Sequence, residues 1–492
     1  MSTPRPAAVI VIAAGEGTRM RSATPKVLHR IGGLALIGHA IRAARATGAE
    51  HVGLVVRHER DRVVEACTAL DAGLVVADQD DVKGTGRAVE CGLDALPAGL
   101  SGTVLVTYGD VPLLTGDTLV ELTAAHVASG SAVSVVTAHL ADPTGYGRVV
   151  RDADGRVERI VEHKDASTAE RALTEINSGI YAFDAALLRE ALARVGTDNS
   201  QGEKYLTDVV AIARTAGRPV RAHVVEDLWQ TEGVNDRVQL ATLGRELNRR
   251  VCERHMRAGV TIVDPATTWV DVDVSIGQDA TILPGTQLLG ATTVGAGAVV
   301  GPEVTLTDTE VGAGAEVTRA VANLAVIGDG ATVGPYSYLR PGTRLGARGK
   351  IGGFVETKNA EIGDGAKVPH LTYAGDVTIG EGTNIGAGTI FANYDGVAKH
   401  HSTVGRHSFV GSGTVVISPV EVADGAYVAA GSALTSDVEP GQIAVARGRQ
   451  RNVDGWVERA RPGTATARAA EEARDRHPQS EQEPSAPEGD EQ

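Results

Sequence analysis

The chain has 492 residues, a formal net charge of -15, 60 glycines and only 3% aromatic residues. At roughly 150 residues per domain this length holds about three units, and the acidic balance argues against the clustered basic surface of a nucleic-acid binder. Cys67, Cys91 and Cys252 stand far apart without CxxC spacing, so neither a disulfide framework nor a zinc site is indicated, and a reducing cytoplasm is expected.

The apolar run from Ala7 to Ala14 is too short to span a bilayer and runs into Gly-Glu-Gly-Thr-Arg instead of a small-residue cleavage site, so it reads as a buried strand. No stretch approaches ~18 continuous apolar residues, and membrane insertion is not expected. The runs HVGLVV at 51–56, TVLVTYGD at 103–110 and SAVSVVTAHL at 131–140 read as further strands, with helical patterns from Leu36 to Thr47 and from Glu59 to Ala69 between them. This alternation predicts an α/β domain over residues 1–235, a Rossmann-like mixed sheet covered by helices. Val238, Leu240, Leu243, Leu247 and Val251 then recur at helical spacing, which predicts a helical linker over 236–258.

From Ile327 an aliphatic residue occupies every sixth position through Val333, Leu339, Leu345 and Ile351, and the beat returns from Val404 through Val410, Val416, Val422 and Val428 to Leu434. Neither a helix nor an ordinary strand has that period. It predicts a left-handed parallel β-helix of hexapeptide repeats over 259–458, each triangular coil burying its apolar face only against its neighbours. The beat slips near Asp308 to Val326 and is interrupted near Asn393 to Ser402 by NYDGVAKHHS, which reads as a loop on a functional face. Trp456 follows the last coil and reads either as a cap on its apolar end or as a ring laid over a neighbouring cofactor. From Gly463 on, three Arg face eight Asp plus Glu with few large apolar residues, so 459–492 is expected to be a disordered acidic tail.

AAGEGTRMRSATPKVLH at 13–29 is the sharpest motif of the first half. Gly15 and Gly17 directly after a strand leave backbone N–H groups free to approach phosphates, and Arg19 and Lys26 add charge. A Walker loop would need Gly-Lys-Ser/Thr four residues after the first Gly, and a dinucleotide fingerprint a third Gly at Met20; neither is present.

With GTGRA at 84–88, YGDVPL at 108–113, DPTGYGR at 142–148, VEHKDA at 161–166, EINSG at 175–179 and EGVNDR at 232–237, all in one order, the chain resembles the sugar-1-phosphate nucleotidyltransferases. Over roughly residues 7 to 455 it resembles more closely the bifunctional N-acetylglucosamine-1-phosphate uridylyltransferases/glucosamine-1-phosphate acetyltransferases. The resemblance implies that Asp110 and Asn235 hold Mg²⁺, a hard cation suited to oxygen ligands. It implies a UTP and UDP-N-acetylglucosamine site at Ile12, Ala13, Ala14, Gly15, Lys26, Gln79, Gly84, Thr85, Tyr108, Gly109 and Asp110, with Gly147, Glu162 and Asn177 on the sugar. Gln79 and the Gly84-Thr85 turn would read uracil, although residues 78–83, DQDDVK, are unusually acidic. Arg19 and Lys26 would stabilise charge as pyrophosphate leaves.

Residues 355–396 concentrate polar groups that a β-helix does not need. His370 is the base candidate for acetyl transfer to an amine. The resemblance places Arg340, Lys358, Tyr373 and Asn384 on glucosamine-1-phosphate, and Ala387, Asn393, Tyr394, Ser412, Ala430 and Arg447 on acetyl-CoA. No cysteine lies in this half, so direct transfer is the simpler scheme. The resemblance also implies a cytoplasmic homotrimer with acetyl-transfer sites between prisms, working in cell-wall precursor synthesis. The rival reading is a monofunctional sugar-1-phosphate nucleotidyltransferase whose β-helix serves only regulation or assembly; a non-catalytic scaffold would predict erosion of GEGTRM or YGD, and both are intact.

Overall fold

The computed structural model describes residues 4–476. Strand Ala8–Ala13, AVIVIA, is buried along its whole length because both faces of its sheet are covered: Ala8, Ile10 and Ile12 enter one core, Val9, Val11 and Ala13 the other. Nine strands form this sheet. Its main path runs Val220–Val224, Val133–His139, Glu175–Asp184, Thr103–Tyr108, Ala8–Ala13, His51–Val56 and Leu74–Asp78. Glu175–Asp184 runs antiparallel to its neighbours, and the hairpin Gly147–Arg151 with Val157–Val161 hangs from it. The sheet is therefore mixed.

Ala8–Ala13 pairs in parallel with His51–Val56 on one side and Thr103–Tyr108 on the other. The chain moves outward through the first neighbour and then returns to the second, so a crevice opens where the carboxyl ends of Ala8–Ala13 and Thr103–Tyr108 diverge. Both the Gly15–Thr18 loop and Asp110 leave the sheet at that crevice.

Asp236 caps helix Arg237–Arg257 by accepting from the backbone N–H groups of Val238 and Gln239. The helix ties the halves together. Arg250 forks onto Asp227 at 2.8 Å through each terminal nitrogen, while buried Asn248 donates to Thr268 O at 2.7 Å and accepts from Val270 N at 2.9 Å. Directly between the halves, Arg42 grips Asp273 at 2.7 and 2.9 Å and Val272 N donates to Gly32 O at 3.0 Å.

From Thr261 to Ala444 the chain winds as a parallel β-helix. Trp269 pairs with Gln287, Ser275 with Thr293 and Thr281 with Val299, each 18 residues on, so one coil is three faces of six residues. The aliphatic beat points inward as expected: Ile327, Val333, Leu339, Leu345, Ile351, Val404, Val410, Val416, Val422, Val428 and Leu434 are all buried in one continuous core. The phase slips are shortened coils, Val299 pairing with Glu316 and Glu316 with Thr332. The insertion lengthens one coil to 25 residues, Asn384 meeting Phe409.

Corner threonines, which the aliphatic pattern does not reveal, satisfy the turning backbone. Thr286, Thr343, Thr389 and Thr414 are buried, and each hydroxyl donates to the carbonyl three residues back at 2.7 to 2.8 Å. The tail departs from expectation. Trp456–Ala460 and Ala465–Arg476 are helical and joined by an Arg474–Glu458 ion pair, so the local helix propensity of the Ala-rich 465–476 segment prevails over its charge. Residues 477–492 lie outside the described part. Trp456 is half exposed with the Arg461 guanidinium 5.4 Å from its ring centroid, and it does not join the β-helix core.

Coil stacking yields a sharp test. A Cβ on Gly352 would stand 1.8 Å from the carbonyl oxygen of Pro369 in the next coil, whereas one on Gly365, at φ +63°, meets nothing within 4 Å. Gly352→Ala should destabilise the β-helix by about 3 kcal/mol or more through overpacking, and Gly365→Ala by only about 1 kcal/mol through its backbone. Calorimetry of both variants checks the order, and equal shifts would refute it.

Candidate active sites

A cleft of about 530 Å³ opens at the crevice, lined by Ile12, Ala13, Ala14, Gly15, Lys26, Gln79, Gly84, Thr85, Tyr108 and Asp110. A second cavity of about 230 Å³ adjoins it, lined by Gly147, Glu162 and Asn177. Thr85 and Tyr108 line both, so a ligand crossing from one to the other passes these two residues. Gly109 stands between strand and loop, its N–H donating to Ile12 O at 2.9 Å.

Lys26 forms an ion pair with Asp110 and lies 3.5 Å from Asn235 Oδ1, which also accepts from Arg19 at 2.9 Å. Asp110 and Asn235 thus converge on one cationic point although 125 residues separate them. One carboxylate and one amide oxygen form a hard, oxygen-only set, too small for an all-protein cage but suited to Mg²⁺ sharing its shell with phosphates and water. Among the described residues no cluster of three or more His, Cys, Asp or Glu forms a metal cage.

The acidic run before Gly84 is neutralised locally. Asp78 pairs with Arg60 at 2.7 Å, Asp80 with Arg87 at 2.6 Å and Asp81 with Arg57 at 3.5 Å. Gln79 Nε2 donates to Val82 O and Gly84 O at 3.0 and 3.2 Å, which folds the loop over the cleft.

Sequence reading missed the segment Glu203–Thr207. Its backbone crosses the Gly84-Thr85-Gly86 turn so closely that a Cβ on Gly84 would meet Lys204 O at 2.3 Å, and Gly86 N donates to that same oxygen at 2.8 Å. Glu203 lines the first cavity, Leu206 and Thr207 the second. The glycines of GTGRA were legible; what crosses them was not. Also missed was Arg148, fully buried, which donates to Leu173 O at 2.9 Å and to Tyr146 O and so holds the loop beside the second cavity in shape.

In the second cavity Asn177 Oδ1 accepts from Tyr181 Oη at 2.8 Å and from Gly179 N at 3.0 Å, which leaves its amide N–H groups for a ligand. Burial, then the nearby Asp165 and Asp208, push the Glu162 carboxyl above the usual range. Burial, then Glu162 and Asp110, push the Tyr108 hydroxyl well up, which keeps it a donor.

On the β-helix, Arg340 and Lys358 occupy successive coils of one face, aligned by the register of Tyr338 with Glu356 and Glu356 with Tyr373. Lys399, from the inserted loop and absent from the sequence-derived set, stands beside Lys358 and lowers its affinity for a proton. The loop's Lys-His-His composition was the available signal. Tyr373 Oη lies 3.5 Å from Asn393 Nδ2, and Asn393 also donates to Asp376. His370 sits at the adjoining corner, its carbonyl accepting from Gly388 N at 3.1 Å. That corner continues as a ladder: Gly413 N donates to Ala387 O at 2.7 Å, Gly431 N to Ser412 O at 2.8 Å, and Arg447 to Ala430 O at 2.8 Å. Asn384 belongs to a different face, paired with Lys367 and Phe409, and makes no described contact with Arg340, Lys358 or Tyr373. Tyr394 is 59% exposed.

The switch-point crevice with its Gly-rich loop and cation-bridged Asp110 defines a nucleotidyltransferase, joined in one chain to a hexapeptide β-helix. A MobA-like NTP transferase domain model matches residues 9–176. Proteins described as bifunctional protein GlmU are similar along nearly the whole chain. That of Kineococcus radiotolerans is 61% identical over 96% of each chain, that of Paenarthrobacter aurescens 58% over 96% of this chain and 95% of its own, and that of Streptomyces avermitilis 58% over 96% and 98%. The chain belongs to this family of bifunctional GlmU proteins.

Glu162 supplies a pH test with a definite sign. Its folded-state pKa is raised, so above that value the folded protein carries a disfavoured charge, while below the ordinary 4.5 both folded and unfolded states are protonated and the penalty vanishes. Glu162→Gln should therefore raise Tm at pH 8 and lose that advantage below about pH 4. A Tm difference independent of pH would refute the assignment.

Proposed function

We propose that the N-terminal crevice performs uridylyl transfer and the β-helix acetyl transfer. The chain is a bifunctional enzyme of UDP-N-acetylglucosamine synthesis, a transferase that uses UTP and acetyl-CoA. Glucosamine-1-phosphate is acetylated first, and N-acetylglucosamine-1-phosphate then receives UMP. The observation that carries the first half is the pair of cavities sharing Thr85 and Tyr108, one beside the Gly-rich loop and one beside Glu162 and Asn177.

In uridylyl transfer Gln79 and Gly84 orient uracil, while Glu162, Asn177 and the Gly147 backbone orient the sugar. Its phosphate oxygen attacks the α-phosphorus in line, a P–O bond forms as the bond to pyrophosphate breaks, and Lys26 and Arg19 stabilise the growing charge. Asp110 and Asn235 would hold Mg²⁺, which when bound would neutralise phosphate charge.

In acetyl transfer Arg340, Lys358 and Lys399 hold the sugar phosphate, with Tyr373 and Asn384 on the ring. His370 takes a proton from the 2-amino group as its nitrogen attacks the thioester carbonyl, and coenzyme A leaves as thiolate. Ala387, Ser412 and Ala430 form a narrow ladder against which a pantetheine arm can lie, with Asn393, Tyr394 and Arg447 at its margins.

A homotrimer is part of this reading. Tyr336 and Phe354 stack at 5.3 Å while 57% and 62% exposed, and Leu371 beside them is 61% exposed. All three hold left-handed backbone that bulky residues rarely adopt, an investment that suits a contact surface. Packing of a second prism would also bring a face such as that of Asn384 toward His370. We place the enzyme in the cytoplasm, where these phosphorylated substrates would be available; among the described residues no helix is long and apolar enough to cross a membrane.

His370→Ala should lower acetyl transfer by about a hundredfold or more and spare uridylyl transfer, and Asp110→Ala should do the reverse. Separate assays, with acetyl-CoA and glucosamine-1-phosphate or with UTP and N-acetylglucosamine-1-phosphate, read both; unchanged acetylation in His370→Ala would remove it as the base. We also propose domain boundaries at 1–235, 236–258 and 259–458. A fragment ending at Gly259 should keep uridylyl transfer but melt at a lower temperature, because Arg42 and Asn248 lose partners. A folded fragment without that activity would sink the division.

A further inference from the structure

A third cavity, of about 470 Å³, lies at the far end of the N-terminal sheet from the nucleotide crevice, between the turn of hairpin Gly147–Arg151/Val157–Val161, the edge strand Val220–Val224 and the end of helix Asp208–Thr215. Its wall holds Arg151, Arg156, Arg214, Arg218 and Arg221 and not one Asp or Glu, in a chain whose net charge is -15. Three carboxylates outside the lining answer three of these charges: Glu175 pairs with Arg151 at 2.6 Å, Asp152 with Arg214 at 2.8 Å and Asp154 with Arg156 at 3.4 Å. Arg218 and Arg221 have no ion-pair partner among the described residues. Concentrating five like charges costs Coulomb energy that three partners offset only in part.

We propose that this cavity is a further anion site, for a diphosphate group. A single phosphate would leave most of the guanidinium donors idle, whereas two linked phosphates can span Arg218 and Arg221 and still accept from the free N–H groups of Arg156 or Arg214. The site is connected to the sugar cavity through two elements. Strand Gly147–Arg151 carries Gly147 at one end and Arg151 at the other, ~13 Å apart at the rise of a strand. Helix Asp208–Thr215 begins beside Thr207, which lines the sugar cavity, and carries Arg214 in its last turn. An anion that tightens the arginine end therefore restrains both walls of the sugar cavity, so the site can report phosphate levels to uridylyl transfer.

The test uses full-length protein without divalent cation at low ionic strength, titrated calorimetrically with inorganic pyrophosphate and, separately, with ADP. Because pyrophosphate can also enter the nucleotide crevice, wild type is compared with R218A/R221A. Wild type should bind one more equivalent than the variant, or the variant should bind that equivalent about tenfold or more weakly, while its uridylyl transfer without added anion stays unchanged. Binding of both probes assigns the bare diphosphate as ligand, and of ADP alone a nucleotide. Amide hydrogen exchange should slow across 147–161 and 208–215 on adding the bound probe to wild type but not to the variant. Equal stoichiometry and affinity in the two proteins, or no protection of those segments in wild type, overturns the proposal.

Discussion

Parallel backbone pairing is the constraint on which both halves of this molecule rest. In the β-helix each coil satisfies its hydrogen bonds only on the coil before and the coil after, so the 18-residue register turns distance along the chain into position on a prism. Side chains far apart in sequence, such as Arg340, Lys358 and Tyr373, come to share one surface. The price of that regularity appears where coils stack, at glycines such as Gly352 that leave no room for a Cβ, and at the corners, where threonines close the turning carbonyls.

In the N-terminal domain the same pairing creates the crevice. Strand Ala8–Ala13 is flanked by parallel partners reached in opposite directions, and their connecting loops diverge above it. The Gly-rich loop and Asp110 leave from adjacent strand ends, so backbone donors and a carboxylate face one volume without special folding of either loop. Lys26 and Arg19 reach Asp110 and Asn235 across it. The point where anionic ligands would be handled is thus held together by protein cations.

Electrostatic contrast runs through the whole chain. Its net charge is strongly negative, yet the sites proposed to face phosphate are cationic: Lys26 with Arg19, Lys358 with Lys399, and the arginine-walled cavity. In an acidic protein such points stand out as local minima for anions and would direct small phosphorylated ligands to them. Surface carboxylates that could compete, Asp78, Asp80 and Asp81, are each tied to an arginine.

The sequence by itself determined the architecture and pointed to the two regions where the candidate sites lie, because both are written in local or periodic signals: a wholly apolar six-residue strand, an aliphatic beat of six, and glycine-bearing motifs in a set order. It also singled out Lys26 and His370 by residue type and neighbourhood, and Asp110 through the ordered motifs of the family resemblance. Only the tertiary structure decided that Glu203–Thr207 crosses the Gly84 turn, that Lys399 stands beside Lys358, and that Arg148 is buried beneath the loop of the second cavity. Those facts depend on which distant backbones approach each other, and no local pattern records such approaches: a lysine in a loop has the same sequence signature whether it meets solvent or another lysine. The arginine cavity shows the same limit, since its five members come from the hairpin, the helix end, the edge strand and the loop that joins these last two, and converge only when the hairpin meets the rest.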